Sequence, residues 1–522
     1  MATIQQQDGA PVWEKHTTIE IEKDPGLAVA LGAESEGLGY EVGEIVGAEQ
    51  LKLERRATRK TDWRLIPILG ACYAISAIDR INISAARIAG MDVELGFRKG
   101  DRYSIALLVF FITYFLFEIP SNIVLRKVGA ANWLSLICFA WGVVILGAGF
   151  SKKWTDVVVC RLLLGLFEAG FFPGCIYLIS CWYTRYQVQK RLAIFYGINI
   201  LAVGFASILA YGCMQLSGKA GYLGWRWYLF LQLRHTPNQM YHNSPLSRIF
   251  IIEGLMTIFL ALLGRLLIVD FPDKVHLARY PFLNANEVTA IQQKLDRDRR
   301  DAEFDELTWG KFLKACSRWD LWFYALQFLS ITSIIYALAY FTPVILRGMG
   351  YSVSRTFLLS APPAIVAVPW ILLVSFLADK MHMRAPFLIL QAFIGITGLM
   401  IIAYSTNNKV RYFGVFLGMA GANGNLPTSL AWQANNIRGQ SLRMVASGLQ
   451  VAFGAIGGIY ASTTFMEKEL PLYRSGLWAV TAGQIYIIVS AVAMVFWYRR
   501  QNRRADRGEV VLEGLEGFRY TY

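Results

Sequence analysis

Asp79 and Arg80 interrupt one apolar stretch of the chain, and Arg161 and Glu168, seven residues apart, interrupt another. Carboxylates in such surroundings can take up and release protons, and guanidiniums can hold an anionic group. The segment 154–180, WTDVVVCRLLLGLFEAGFFPGCIYLIS, is long enough to cross about 30 Å of hydrocarbon. An ionisable side chain at that depth costs about 2.5–3.5 kcal/mol, so it faces a partner or a watered cavity. Four such groups on two segments point to a path for a substrate or for protons.

The elements that must position them are membrane helices. The chain has 522 residues, 55% of them apolar, and repeats apolar windows of about twenty residues. Twelve candidate spans follow: 63–84, 103–125, 133–150, 154–180, 191–216, 249–269, 320–345, 355–378, 386–405, 411–435, 445–464 and 477–498. The expected fold is an all-α polytopic membrane protein with two six-helix bundles, at 61–269 and 320–498. A polar stretch at 270–319 separates them and is read as a cytoplasmic linker with a short amphipathic helix at 286–300. Residues 1–60 are expected to be a disordered cytoplasmic tail and 499–522 a second cytoplasmic tail. Basic clusters precede the first span (Lys52, Arg55, Arg56, Arg59, Lys60) and follow the last (Arg499, Arg500, Arg503, Arg504, Arg507). By the positive-inside rule both termini are cytoplasmic, and the net charge of +14 anchors the protein at a lipid bilayer rather than on nucleic acid. With no apolar leader ahead of it, the first span is expected to act as the targeting signal.

The first span runs outward, which places Asp79 about 24 Å up the helix from Trp63. The fourth runs inward, so Arg161 lies at a comparable depth and Glu168 about 10 Å further in, near the midplane. Arg161 and Glu168 share a face but are too far apart to pair, and their partners must come from another helix. Asp79 is the candidate partner of Arg161, which leaves Arg80 to point elsewhere. That arrangement suits anion–proton cotransport: Arg80 can grip a carboxylate with two parallel hydrogen bonds, and Glu168 can exist charged or neutral. The alternative is a structural ion-pair network that fixes helix packing.

Asp79-Arg80-Ile81-Asn82-Ile83, Glu118-Ile119-Pro120-Ser121-Asn122 and the stretch Arg161 to Gly174 (RLLLGLFEAGFFPG) resemble the anion:cation symporter branch of the major facilitator superfamily. So do Gly224-Trp225-Arg226-Trp227, the segment 250–254, and Trp432-x-x-Asn435-Asn436-x-x-Gly439-x-x-x-Arg443. The similarity spans about residues 54–500, and fungal allantoate and nicotinate permeases are members of this kind. The resemblance implies a proton-coupled carrier of a small organic anion that works by alternating access, is monomeric and resides in the plasma membrane. It implies Arg80 as ligand of the substrate carboxylate, Asp79 and Glu168 as protonating acids, and Arg161 as the charge partner of Asp79 and a further substrate contact. Asp379, Lys380 and Arg384 would latch the cytoplasmic side. Two departures stand out. Arg126-Lys127-Val128-Gly129 lacks the acid the superfamily places before it, and Gln187 replaces a glutamate after Trp182-Tyr183-x-Arg185.

Tyr336 and Tyr340 sit one turn apart on the seventh span, and Asn423 and Asn425 lie on the tenth; all four are candidates for lining the cavity, with core packing as the alternative. Gly170-x-x-x-Gly174 with Pro173 can loosen and closely pack the fourth span. The seven cysteines are scattered without a CxxC pair, and the five histidines fall in tails or loops. No nucleophile–base set, phosphate loop or metal cluster is present, so neither an enzyme nor a cofactor is expected. Residues 228–248 separate two motif halves and are read either as a retained intron or as an extracellular loop. Two functional alternatives stay open: export of a carboxylated secondary metabolite from a fungal biosynthetic cluster, and a non-transporting nutrient sensor. The fifth span contains no proline, which counts against the antiporter motif that drug exporters carry there.

Overall fold

The computed structural model describes residues 48–86, 102–151, 153–215, 245–274, 282–299, 305, 307–464 and 474–522. Its helices are α1 (Ala48–Ala86), α2 (Arg102–Val128), α3 (Ala130–Ala148), α4 (Trp154–Glu168), α5 (Phe171–Trp182), α6 (Val188–Gln215), α7 (Pro245–Leu267), α8 (Ala285–Arg299), α9 (Trp309–Cys316), α10 (Trp319–Gly348), α11 (Val353–Lys380), α12 (Ala385–Tyr404), α13 (Asn408–Asn436), α14 (Gln440–Thr464) and α15 (Arg474–Asp506). With α4 and α5 counted as one interrupted span, twelve long helices form two six-helix bundles. Among the described residues nine of them are apolar and long enough to cross a membrane by composition alone. Of the other three, α1 carries Asp79 and Arg80, and α13 carries glycine, asparagine and threonine, within their spans.

Within the first half α1 packs on α6, α2 on α4 and α3 on α7; within the second half α10 packs on α14, α11 on α13 and α12 on α15. The same partners thus recur six spans later. The halves meet along two equivalent seams, α2 against α14 and α11 against α6. Such a paired seam leaves room between the halves for a central site.

One face of the molecule carries the start of α1, the linker helix α8 and the end of the chain; it is called the linker face here. The region read as a tail is partly helical, since α1 already begins at Ala48. Ion pairs from Glu54 to Arg297 and from Lys60 to Glu287 (2.7 Å) dock α8 on this early part of α1. Arg185 holds α8 from the other side through Asp298 at 3.2 Å. The stretch after α15 also folds back. Thr521 donates its backbone N–H to Asn436 (2.7 Å), its carbonyl accepts from Trp432 Nε1 (2.9 Å), and Phe518 packs beneath the Arg185 guanidinium. Residues 228–244 lie outside the described set.

The acid missing ahead of Gly129 is supplied from a distant segment. Arg126 makes two hydrogen bonds to Asp273, at 3.1 and 2.5 Å, and Asp270 Oδ1 accepts the Ala130 N–H that opens α3. Gly129 has φ +96°, and a Cβ there would run into the Asp270 carboxylate, so glycine is required on both counts. Gln187, the other departure, accepts a hydrogen bond from Lys294 of α8 at 3.0 Å.

Candidate functional site

A cavity of about 150 Å³ lies between the halves. Its wall includes Tyr73, Arg80, Phe110, Tyr114, Phe172 and Tyr196 from the first half and Tyr336 and Asn423 from the second. Arg80 is the only charged residue among the described lining residues. Aromatic packing sets the shape: Tyr73 stacks on Phe172 at 4.6 Å and on Phe195 at 5.1 Å, both nearly parallel. The Arg80 guanidinium lies over the rings of Tyr114 (5.2 Å) and Phe110 (5.7 Å), which favours a cation held away from bulk water.

Arg80 donates Nε to Glu168 Oε1 at 2.8 Å, and its Nη2 lies 2.6 Å from the same oxygen. Ser76, one turn before Arg80, donates its hydroxyl to that oxygen as well. The remaining Nη1 donates to Tyr336 Oη across the seam at 3.2 Å. Glu168 ends α4; the chain then turns through Ala169 and Gly170 before α5 begins at Phe171. Pro173 accounts for the break, since it has no N–H to offer the Ala169 carbonyl, while glycine lets α4 and its end approach α2: a Cβ on Gly170 would overlap Ser121, and one on Gly165 would overlap Thr113 and Phe110. Close approach of α2 and α4 therefore fixes where Glu168 points.

The other expected residues divide. Asn423 lines the cavity, accepts from Tyr196 Oη at 2.8 Å and thereby joins the halves. Tyr336 lines it beside Phe111, edge to face. Tyr340 lies on α10, but its side chain falls outside the described residues. Asn425 is fully buried away from the cavity wall. Arg161, expected as a substrate contact, also lies off that wall: it lines a separate small cavity with Asp79 and Glu253. The expected pairing of Asp79 with Arg161 takes the form of a shared cavity, since neither Asp79 oxygen accepts a hydrogen bond among the described residues.

Beneath the cavity the linker face is closed by polar ties between the halves. Arg384 donates to Gln189 Oε1 (2.6 Å) and to the Arg185 carbonyl (3.0 Å), and it is paired with Asp379 at 2.6 Å. Asp379 in turn accepts the Lys190 N–H at 3.0 Å, while Lys380 is exposed alongside. Arg443 donates to the Ser180 carbonyl at 3.2 Å. Gln189, Lys190 and Ser180 belong to the first half, so each contact must break if the halves part on this side. Glu253 and Gln189 were missed in the sequence reading; Glu253 lay in the quoted 250–254 motif, an acid within an apolar run, and carried the same signal as Glu168.

A model of the Major Facilitator Superfamily matches residues 69–462. "MFS-type transporter cnsO" of Penicillium expansum is 30% identical over 88% of this chain and 85% of its own length. "High-affinity nicotinic acid transporter" of Saccharomyces cerevisiae is 27% identical over 88% of this chain and 80% of its own. Among solved structures, the proton:xylose symporter XylE superposes with a TM-score of 0.62 at 15% identity, over 84% of this chain and 96% of that one, a likeness of fold.

Proposed function

The chain belongs to the Major Facilitator Superfamily, and on that premise we propose that it is a proton-coupled symporter of a small organic anion, of the anion:cation symporter branch. The observation that carries this reading is Arg80, the charged group on the central cavity wall, held by Glu168. A guanidinium offers a planar fork to one carboxylate, and Glu168 occupies two of its nitrogens. A substrate carboxylate must compete for that fork. Protonation of Glu168 removes the competitor's charge, leaving Arg80 Nε and Nη2 to the substrate, while Ser76 and the break after α4 keep the neutral acid in place. Proton and anion then load together, which is the requirement of symport.

With both sites filled, separation of the linker-face ties opens the cavity to the other side. Loss of the proton returns Glu168 to Arg80 and displaces the anion. The basic clusters at both ends support cytoplasmic termini, with the linker face toward the cytoplasm. Aromatic rings around Arg80 support a small aromatic monocarboxylate such as nicotinate, in keeping with what the yeast relative's name states for that protein.

The test is uptake of labelled nicotinate and allantoate into proteoliposomes with and without an inward proton gradient. Glu168→Gln is expected to retain substrate counterflow but to lose gradient-driven accumulation. Accumulation equal to wild type in that variant overturns the role given to Glu168, and a wild type indifferent to the gradient overturns symport itself.

A further inference from the structure

The stretch Glu118-Ile119-Pro120-Ser121-Asn122 takes no part in the central site, yet it puts an acid within the α2 span. Glu118 is 0% and Asn122 1% exposed. Neither carboxylate oxygen of Glu118 nor either amide atom of Asn122 has a hydrogen-bond partner among the described residues. The two lie one turn apart on one face of the helix, and that face meets the second half. A Cβ on Gly448 of α14 would sit 3.3 Å from Asn122 Nδ2 and from Ile119, and one on Gly458 would sit 3.0 Å from Phe111, two turns before Glu118. Glu118 therefore lies in the seam of α2 against α14. Tyr114, one turn earlier on α2, lines the central cavity, while Arg443 near the start of α14 ties the linker face to Ser180. The acid stands between the cavity and the ties, on a surface that parts when the linker side opens.

In a dry seam an ionised carboxylate without a donor is far costlier than the neutral acid. At this level the surrounding helices carry Glu168 on α4, Cys175 and Tyr177 on α5, Arg443 on α14 and Arg80 on α1, with Tyr114 on α2 itself; α3 carries no charged residue. Arg80 is the charge that acts on Glu118, and that guanidinium is already engaged by Glu168. We propose that Glu118 is a pH-responsive acid of the linker-side gate, neutral while the seam is shut and ionised once opening wets it. On opening, its O–H bond breaks, the proton passes to water on the linker side and a carboxylate remains. On closing, a proton returns from the same water. No proton crosses the membrane by this route, so Glu118 biases the open and shut forms without adding to the coupling given to Glu168. The open form holds the ionised acid, and rising pH on the linker side therefore favours it. Water reaching Asn122 at the same step satisfies its amide. This inference goes beyond the symport reading and takes from it only the opening of the linker face.

The experiment reads the separation of the halves on the linker face by pulsed electron resonance, in the full chain reconstituted into nanodiscs. Spin labels sit on ketone-bearing residues replacing the exposed Lys127 of α2 and Lys314 of α9. In wild type the ratio of wide to narrow distances should rise up to about tenfold per pH unit between about pH 5.5 and 7.5, because a wetted glutamate ionises near about pH 4.3 and a buried one does not. Glu118→Gln should lose that rise, Glu118→Asp should keep it, and Glu118→Gln should still accumulate anion in a proton gradient as wild type does. An undiminished rise in Glu118→Gln overturns the proposal, as does a wild type whose distances ignore pH. Loss of gradient-driven accumulation in Glu118→Gln also overturns it, since Glu118 would then be a coupling group. A wild type indifferent to the gradient overturns the symport reading instead. If Glu118→Gln does not fold, infrared spectra of glutamate-labelled protein decide. A glutamic-acid C=O band that fades along with the rise and is missing from Glu118→Asp supports the site, and its absence overturns it.

Discussion

The two halves of the bundle share a packing plan but differ in chemistry. The first half buries Asp79, Glu118, Arg161, Glu168 and Glu253 within its spans, with Arg80 partly buried beside Glu168. The second half has no acid or base in the middle of any span. Its interior polar contacts are neutral: Gln450 donates to Ser429 (3.1 Å), Ser429 to Gln327 (3.1 Å), and Gln327 to Ser490 (3.3 Å). Neutral amides joined in a chain position helices without binding protons. The division places the mid-span charges in one half, while the other offers the neutral side chains of Tyr336 and Asn423 across the seam; on the proposed reading the first half would respond to protons and anion.

Breaking the charged half should have the largest effect. Arg80→Lys keeps the charge but loses the planar fork, and uptake of labelled carboxylate should fall by about 100-fold or more while surface expression is retained. Uptake within a few-fold of wild type would show that the fork is not the anion ligand. The neutral half should give a smaller loss. Tyr336→Phe removes one neutral acceptor from Arg80, a change of about 1 kcal/mol, so an uptake decrease of about 5-fold is expected with the proton dependence intact. A change in proton dependence would mean that the second half also takes part in coupling.

The smallest effect concerns the linker that joins them. Burial pushes Lys294 of α8 down from 10.5 to about 8, with Thr58 and Gln187 as its hydrogen-bond partners. The unfolded chain keeps this proton up to about pH 10.5 and the folded one releases it above about pH 8, so stability rises with pH across that window. Melting of the detergent-solubilised protein between pH 8 and 10 should therefore show an increment that Lys294→Met lacks. Equal pH profiles for the two proteins would remove the lysine from the account.

Much of the fold was legible because each apolar window must close its own backbone hydrogen bonds in lipid, which leaves the helix as the local solution. The charged residues were legible for the same reason: Asp79, Arg80, Arg161 and Glu168 stand out against their surroundings. Their partners were not. Sequence spacing brought Asp79 and Arg161 together, and they share a cavity, but it gave Arg80 no partner, whereas the structure ties Arg80 to Glu168. Depth along two helices can be counted from the sequence, but rotation about their axes cannot, and rotation decides which neighbour each side chain meets. The acid for Arg126 illustrates the same limit, since Asp273 lies 147 positions away.

Composition and periodicity were thus enough to require twelve helices and to mark the charges that cross lipid at a cost. Which charges meet, that Glu253 joins Asp79 in a separate cavity, and that the chain end folds under Trp432 and Asn436 were decided by packing. Burial cost is a property of each residue in its own segment, while pairing depends on the mutual rotation and approach of helices far apart in the chain.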